Sequence, residues 1–451
     1  MRRRDQQRVR AAAIVALAIA ALGAALAACG RIEPDATVDG DAGRGTSDAA
    51  SPVIDARRDS AHPPRGPFKG WEIFDEYAEC NLQIPGTSAD LPPAFRWGPC
   101  PETPQTAGLD CRELVLDWKS RLTEWIVPHG AIRRTDGSTA LMMTRFEEGD
   151  TYAFVAAVDG PVAVAIKEND PRCVLSAGES DGDHYFWNVS HTQLNNPNDH
   201  HPGAIAGSLD DLLPRVIHQQ ADIASVRAAG EPGVLGTEGL LPWSMGEPMG
   251  LSAPGYVHFS KDALLWWNGP PAGTLGVWTK ASGSSVLKSV KNDPSRGLCS
   301  FDTDGKDMVW VEASQPVATP NNGDIFSLVK MVTSPHTTSS TGLQPRVLRS
   351  DLGGYALDAK MVVGCGYASR SGTVNDPAGG DPKNGTLVVR LADGYAWFLP
   401  IGAPWPFSWS EVMAITCDEV FVSVHEQSGD GGIRMNVARV RIDSLGPPTP
   451  P

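Results

Sequence analysis

The chain is short of basic residues, and it has no long apolar run after residue 28. Lys and Arg number 38 against 53 Asp and Glu, giving a net charge of −15. Nucleic-acid binding depends on Lys and Arg that neutralise phosphates, so this balance argues against a nucleic-acid partner. The body also lacks any catalytic motif with a recognisable spacing and any second stretch long enough to span a membrane. The body of the chain is therefore acidic, and no sequence motif indicates a reaction that it catalyses.

The N-terminus is the most informative segment. Five Arg residues within the first ten positions precede an apolar run over residues 11–28, which ends in Leu26-Ala27-Ala28-Cys29. A basic region, an apolar region and small residues at a cleavage point are typical of a secretory signal. The small residues followed by Cys29 resemble a bacterial lipobox, in which the cysteine is lipidated and becomes the first residue of the mature protein. The alternative is an uncleaved anchor helix, which needs about 20 apolar residues.

Either interpretation exports the body and attaches it to a membrane. We expect residues 1–28 to be a signal peptide and Cys29 to carry the lipid, because two or more acyl chains suffice for lasting attachment. The residue after the cysteine is Gly30 and not Asp. By resemblance to envelope lipoproteins, this favours the outer membrane. Residues 29–67 contain no aromatic residue and too little apolar area to order, so they are predicted to be a disordered tether.

Residues 68–446 are predicted to form the folded body, and residues 447–451 a C-terminal tail. Without residues 1–28, which carry five Arg and one Asp, the net charge falls from −15 to −19; this favours solubility and gives weak grounds for cation binding. Seven cysteines besides Cys29 would meet an oxidising compartment, and an odd number leaves at least one unpaired. Cys100 and Cys111 bracket a Pro/Gly-rich loop and are predicted to pair. No cysteine has a local signature of a nucleophile.

A turn containing Asp followed by a short apolar run recurs along the body. Asp and Gly tolerate the backbone of tight turns, and β-branched and aromatic residues fit a pleated surface, so each copy predicts a turn that enters a strand. The copies begin at Thr135, Ser180, Ser260, Thr303, Leu357 and Cys417. Asp-Gly pairs between alternating apolar runs, at Asp159-Gly160 and Asp393-Gly394, predict β-hairpins.

The spacing of these copies favours a β-propeller. The strand centres near Leu141, Trp187, Trp266, Trp310, Val363 and Val422 are separated by 46, 79, 44, 53 and 59 residues. Most of these intervals suit a four-stranded blade of about 40 to 50 residues. The long interval contains the segment from Ser208 to Gly230, where apolar residues recur at helical spacing, and it is predicted to hold a short inserted helix.

The repeats resemble those of TolB-type β-propellers and related envelope propellers. The resemblance lies in an Asp turn, a V-W or L-W strand and a following D-I-F strand, as in Asp324-Ile325-Phe326, over about residues 130–445. It implies an all-β ring of blades whose channel and loops bind a partner, often without catalysis. We expect seven blades, with six or eight as alternatives, and one of them from residues 68–130. A two-domain all-β arrangement is the competing fold.

The C-terminal segment is predicted to close the ring. Its apolar residues alternate from Ile433 to Val437 and then shift phase at Val440, which predicts a strand with a bulge. A last strand that paired with the N-terminal part would remove an exposed edge.

Two clusters contain residue types that bind metals, and no cofactor is predicted from either. His191, Asp199, His200 and His201, with His184 nearby, offer imidazole and carboxylate, but the spacing matches no zinc motif, so we expect a solvated loop between blades. Asp302, Asp304 and Asp307 surround Gly305 in an oxygen-rich turn; calcium is the alternative there, although the turn lacks the distal Glu of an EF-hand.

Aromatic pairs supply the remaining candidate binding residues. Trp266, Trp267, Trp405 and Trp409 could form platforms for sugar rings, or they could pack between blades. No spacing isolates the two carboxyls that glycoside hydrolysis requires. The sequence therefore favours a non-catalytic binding or scaffold module whose partner is an envelope protein or a glycan. The alternatives are an exported carbohydrate-active enzyme, either glycoside hydrolase or lyase, and a metal-dependent enzyme that uses the His200 region.

Overall fold

The structure is a computed structural model. It describes residues 82–83, 96–102, 106–115, 125–133, 139–147, 150–158, 162–168, 173–176, 184–193, 196–208, 215–219, 223–228, 232–236, 239–242, 256–260, 263–268, 274–279, 283–289, 296–319, 323–350, 352, 361–374, 383–400, 409–427 and 433–451. The predicted signal peptide, the predicted lipidation site Cys29 and the predicted tether lie outside these residues.

Antiparallel strands make up almost all of the described chain. The N-terminal strands are β1 (Leu82–Gln83), β2 (Arg96–Pro99) and β3 (Cys111–Val115). Sheet 1 contains β4 (Trp125–Arg133), β5 (Thr139–Glu147), β6 (Asp150–Ala157) and β7 (Val162–Glu168), with β1 at its outer edge. Sheet 2 contains β8 (Cys173–Ser176), β9 (His184–Gln193), β10 (Asn196–Ser208) and β11 (Arg215–Gln219). Sheet 3 contains β12 (Ile223–Ala228), β13 (Pro232–Gly236) and β14 (Gly239–Pro242).

The second half of the chain forms four more sheets. Sheet 4 contains β15 (Tyr256–Ser260), β16 (Ala263–Asn268), β17 (Thr274–Thr279) and β18 (Gly283–Ser289). Sheet 5 contains β19 (Arg296–Thr303), β20 (Asp307–Thr319), β21 (Gly323–Pro335) and β22 (Arg346–Arg349). Sheet 6 contains β23 (Met361–Gly364), β24 (Tyr367–Val374), β25 (Lys383–Arg390) and β26 (Ala396–Leu399). Sheet 7 contains β27 (Trp409–Ile415), β28 (Glu419–Gln427) and β29 (Ile433–Arg441), extended by β3 and β2. Short 3₁₀ helices lie at Ser340–Gly342 and Ile442–Ser444.

The sheets follow one another around a ring. Strand β12 contacts β15, β15 contacts β19, β19 contacts β23, and β23 contacts β27, so the first strands of sheets 3 to 7 adjoin one another. Sheet 2 contacts sheet 1 through β8 and β6, and it contacts sheet 3 through β9 and β12. Strand β27 also contacts β4, which brings sheet 7 back to sheet 1. Successive meander sheets that meet through their first strands form a β-propeller. The predicted all-β propeller is thus confirmed, and the described strands form seven sheets.

Sheet 7 closes the ring with strands from both parts of the chain. In its register, Ala438, Arg439 and Val440 of β29 lie opposite Glu113, Arg112 and Cys111 of β3. Asn436 Nδ2 donates to Glu113 Oε1 at 2.6 Å and to the Leu114 carbonyl at 3.2 Å. The predicted closure is therefore confirmed, but residues 68–130 do not supply a blade of their own. Strand β3 joins the last sheet and β4 opens the first.

The core is formed by sheets that are buried on both faces. In β25, Leu387 and Val389 belong to the apolar cluster shared with sheets 4 and 5, whereas Val388 belongs to the cluster shared with sheet 7. Alternate side chains of one strand point to opposite faces, so a central strand of a blade between two neighbours is buried on both faces. None of the described residues forms a helix that is long and apolar enough to cross a membrane.

The repeated Asp turns occupy a fixed place in most sheets. The copies near Thr135, Ser180, Ser260, Thr303 and Cys417 each lead into the second strand of a sheet, and the copy near Leu357 leads into a first strand. Both Asp-Gly hairpins are confirmed, because β6 pairs with β7 and β25 pairs with β26.

Three local predictions are wrong. The predicted helix over residues 208–230 is instead β11 and β12, separated by a connection between sheets. Pro214 disfavours a helix there, and Val216, Ile217, Ile223 and Val226 are β-branched residues that pair well in strands. The long interval between repeats therefore contains sheet 3.

The expected loop with His191 and His201 is a strand pair, in which these two residues lie opposite each other in β9 and β10. Pairing with β9 supplies partners for the backbone groups, so a Pro- and Asn-rich segment can still form part of a strand.

The bulge expected in β29 is also absent, since β28 and β29 pair without a break from Glu419–Arg441 to Gln427–Ile433. The apolar phase changes because Val437 faces sheet 1 and Val440 faces sheet 6.

Candidate binding cleft

A cleft of about 200 Å³ lies between sheets 6 and 7. Turns after the first and third strands of an antiparallel sheet lie at the same end of that sheet. The cleft is at this end, where β24 begins, β25 ends and the β27–β28 turn and the end of β29 meet. Its lining residues are Tyr367, Arg390, Trp397, Cys417, Asp418, Arg441, Ile442, Asp443 and Gly446.

The wall from sheet 6 is aromatic and carries one cation. The rings of Tyr367 and Trp397 have centroids 6.3 Å apart at an angle of 56°. The Arg390 guanidinium lies 5.5 Å from the Tyr395 ring centroid and 5.7 Å from that of Trp397. Arg390 also donates to Asp393 through Nε, at 3.0 Å to Oδ1, and through Nη2, at 2.7 Å to Oδ2. This wall therefore presents a guanidinium that is already oriented by a carboxylate and two rings.

The wall from sheet 7 contains a second pair of the same kind. Arg441 Nε donates to Asp443 Oδ1 at 3.0 Å, and Nη2 donates to Oδ2 at 2.7 Å. Asp110 lies on the other side of Arg441, with 3.8 Å between Nε and Oδ2. Asp418 is exposed at the tip of the β27–β28 turn, and its charge is among those that act on Arg441.

These pairs fix the charges of the cleft. The hydrogen bonds from Arg390 and Arg441 lower the pKa of Asp393 and Asp443 respectively, and the same bonds raise the pKa of each arginine. A general acid that works near neutral pH needs a raised carboxyl pKa. The two shifted carboxyls of this region are therefore suited to holding charge in place and not to donating a proton.

One disulfide and several hydrogen bonds tie the walls together. Cys365 in the β23–β24 turn and Cys417 in the β27–β28 turn form a disulfide with a Cα–Cα distance of 5.0 Å. At the outer strand of sheet 6, Trp397 Nε1 donates to the Gly446 carbonyl at 2.9 Å. Ala396 and Thr449 exchange two backbone hydrogen bonds nearby, and the Val412 N–H donates to Ser371 Oγ deeper between the sheets. The disulfide is therefore the covalent tie between the walls, and several hydrogen bonds support it.

The four tryptophans predicted as binding residues are not among the residues that line the cleft. Trp266 lies in β16 opposite Gly276 of β17, half-buried, and a Cβ at Gly276 would overlap its indole, so Trp266 packs within sheet 4. The backbones of Trp267 and Trp409 belong to β16 and β27, and Trp405 is outside the described residues. The cleft was not anticipated, because its residues come from four segments that only the ring brings together.

Two carboxylates of the Asp-rich turn accept backbone hydrogen bonds. The Asp302 carboxylate accepts the Val363 backbone N–H at 2.6 Å, which links sheets 5 and 6. Asp304 Oδ1 accepts the N–H groups of Lys306 and Asp307 within its own turn. Among the residues with described side chains, no group of three or more His, Cys, Asp or Glu is arranged to hold a metal.

The predicted pair of Cys100 and Cys111 forms a disulfide between β2 and β3, with a Cα–Cα distance of 5.5 Å.

Comparisons with known proteins add no family. No protein-family model matches the chain, and no curated protein matches it. The β-propeller domain of the Trilobed protease from Pyrococcus furiosus is similar at 9% identity and a TM-score of 0.32, over 73% of this chain and 84% of that chain. Pyrococcus horikoshii acylaminoacyl peptidase is similar at 10% identity and a TM-score of 0.38, over 59% of this chain and 44% of its own. Trypanosoma rangeli sialidase is similar at 10% identity and a TM-score of 0.31, over 81% and 60%. The fold assignment therefore rests on the sheet topology.

Proposed function

We propose that this protein is an exported, lipid-anchored β-propeller of the bacterial cell envelope that binds a partner protein or glycan without catalysis. The cleft between sheets 6 and 7 is the binding surface in this proposal. The observation that carries it is the small size of the cleft, about 200 Å³, together with charges that are already paired. Substrate pockets usually occupy about 300 to 1,000 Å³, so this cleft suits one protruding group of a larger partner.

The composition of the cleft supports a contact surface. Tyr, Trp and Arg are the residue types that dominate binding energy at protein interfaces, and Tyr367, Trp397, Arg390 and Arg441 all line this cleft. Their side chains are already oriented by ring contacts and by the pairs with Asp393 and Asp443. A partner would therefore lose little side-chain entropy when it orders this surface.

The membrane address is the other part of the proposal. Lipidation of Cys29 would hold the body at the outer membrane, and residues 29–67 would act as the tether. Feeding cells an alkyne-labelled fatty acid tests this: the wild-type chain should take up the label and sediment with membranes, whereas Cys29→Ser should do neither. A wild-type protein that carried no label would refute the lipid anchor and leave the cleft proposal standing.

Site-specific photocrosslinking in intact cells tests the cleft. A photoreactive amino acid at Asp418, which is exposed at the rim, should capture a specific partner whose identity mass spectrometry then gives. The control position is Ser285, which is exposed on β18 of sheet 4. Equal capture at both positions would contradict a binding surface at the cleft. Turnover of a glycan by the purified protein would support the carbohydrate-active enzyme and overturn the non-catalytic proposal.

A further inference from the structure

The two disulfides of the described chain differ in position and exposure. Cys100–Cys111 lies within sheet 7, and Cys111 is buried in the core shared with sheet 6. Cys365–Cys417 joins two different sheets, and Cys417 is exposed and lines the cleft. Thiol–disulfide exchange requires access to the sulfur that is attacked. Cys100 and Cys365 are half-buried, so Cys417 is the most exposed of these four cysteines and the one that a dithiol approaches most readily.

The backbone at Cys365 points to a requirement for this bridge. Cys365 has φ +52° and Gly366 has φ +80°, and Cys365 is the non-glycine residue with positive φ in the described part of the chain. Two successive positive φ values are those of a type I′ turn, which prefers Asn, Asp or Gly at its first central position. A cysteine in this unfavourable conformation is explained by the bond that its sulfur makes to Cys417.

The disulfide joins the two walls of the cleft, but it is not needed to form the turn that carries Cys417. The Thr416 N–H donates to the Glu419 carbonyl at 2.8 Å, and the Ile442 N–H donates to the Asp418 carbonyl at 2.8 Å. These bonds lie within sheet 7 and do not involve the sulfur. Loss of the disulfide would leave the turn intact and would leave only noncovalent ties between the walls, among them the Trp397–Gly446, Ala396–Thr449 and Ser371–Val412 hydrogen bonds.

We propose that Cys365–Cys417 is a thiol–disulfide exchange site for a thioredoxin-like dithiol of the envelope, and that its reduction loosens the cleft. A thiolate of the dithiol attacks the Cys417 sulfur, a mixed disulfide forms, and Cys365 leaves as a thiolate that takes up a proton. The second thiol of the dithiol then attacks the dithiol's first sulfur, which is bonded to Cys417 in the mixed disulfide. Cys417 is released as a thiolate and takes up a proton. Two electrons and two protons pass to the protein, and the dithiol becomes a disulfide. The effect on binding rests on the proposed function; the exchange itself does not.

Alkylation of the folded, full-length protein tests the exchange. The protein is incubated with a thioredoxin-like dithiol, trapped with an alkylating reagent, and digested for mass spectrometry. We expect Cys365 and Cys417 to be modified at least about tenfold faster than Cys100 and Cys111, because access controls exchange. Equal rates for the two pairs, or modification of both only in denaturant, would overturn the exchange site.

A variant that cannot form the bridge tests the effect on the cleft. In Cys365→Gly with Cys417→Ser, glycine keeps the positive φ without strain, and the matched control is Cys100→Ser with Cys111→Ser. Crosslinking from position 418 should change severalfold in the first variant and stay at the wild-type level in the second. Wild-type yields in both would overturn the coupling, whereas no capture even from the wild-type chain would refute the proposed function and leave the alkylation result intact.

Discussion

Single polar side chains connect neighbouring sheets of the ring. Asp302 of β19 accepts the N–H of Val363 at 2.6 Å, and Ser371 of β24 accepts the N–H of Val412 at 2.5 Å. In each case the N–H belongs to the first strand of the next sheet. A buried N–H needs an acceptor, so these side chains fix the position of one sheet against the next.

The Asp302 bond can be tested by removal of its acceptor. Asp302 is 5% exposed, so Asp302→Ala should lower the free energy of unfolding by about 1.5 to 3 kcal/mol, as for other hydrogen bonds to charged groups. Urea unfolding measures the change. Asp304→Ala is the matched control, because it removes a carboxylate from the half-exposed turn two residues away, and we expect a smaller loss there. A control that lost as much stability would contradict a special role for Asp302.

Glu312 predicts a pH dependence of stability. Burial raises the pKa of Glu312. Hydrogen bonds from Lys288 and Trp310, together with the charges of Lys288 and Lys330, outweigh burial, so the pKa lies below the usual 4.5. A carboxyl whose pKa is lower in the folded state stabilises the fold above the unfolded pKa and loses that contribution as the pH falls. Wild-type stability should therefore decline below about pH 4.5, and Glu312→Gln should lack this part of the decline.

Thermal unfolding from pH 3 to pH 7 would measure this difference. Asp393→Asn is the control, because its exposed pair with Arg390 is screened by solvent and should contribute little. Parallel stability curves for the wild type and Glu312→Gln would show that Glu312 does not carry the effect.

Hairpins are the elements that the sequence predicts well. Asp159-Gly160 and Asp393-Gly394 each join paired strands, because the turn residues and the flanking apolar residues act within a few positions of each other. The helix predicted between Ser208 and Gly230 failed because its apolar spacing fits a helix equally well until pairing with β10 and β13 is considered. Tertiary pairing decides such segments, and it is not visible in local sequence.

The cleft was beyond the reach of the sequence for a related reason. Tyr367 and Arg390 are the first and last residues of the β24–β25 hairpin and lie opposite each other only once it has formed, and Arg441 belongs to another sheet. Each residue reads locally as an ordinary strand end. Only the ring order, in which sheet 6 adjoins sheet 7, places a guanidinium, two rings and a second ion pair around one opening.

The Cys100–Cys111 bridge allows a prediction about the β2–β3 hairpin. It closes a short loop of the chain, with a sequence separation of 11, so Cys100→Ser with Cys111→Ser should lower the free energy of unfolding by about 2 to 3 kcal/mol. Because β3 still pairs with β29, the variant should remain folded and monomeric. Urea unfolding and light scattering would show both. Unchanged stability would mean that the pairing of β2 with β3 needs no covalent support.

At the scale of the whole molecule, the ring depends on a seam that, among the described residues, is closed by strand pairing and not by a disulfide between its two parts. Sheets 4, 5, 6, 7 and 1 each share an apolar cluster with a neighbour. The pairing of β29 with β3 completes sheet 7 and protects what would otherwise be an open edge. Unpaired strand edges are templates for association with other chains. The N-terminal strands therefore serve solubility as well as stability.

Deletion of residues 96–115, which contain β2 and β3, should expose the edge of β29 and cause the protein to associate. Size-exclusion chromatography with light scattering should detect oligomers, and the Cys100→Ser with Cys111→Ser variant, which keeps both strands, should stay monomeric. A synthetic peptide of the deleted segment should restore the monomer, because it can pair with Ala438, Arg439 and Val440 as β3 does. A deletion variant that was monomeric at wild-type stability would mean that the ring closes without this seam, and the radial packing of sheets 6, 7 and 1 would then have to be sufficient by itself.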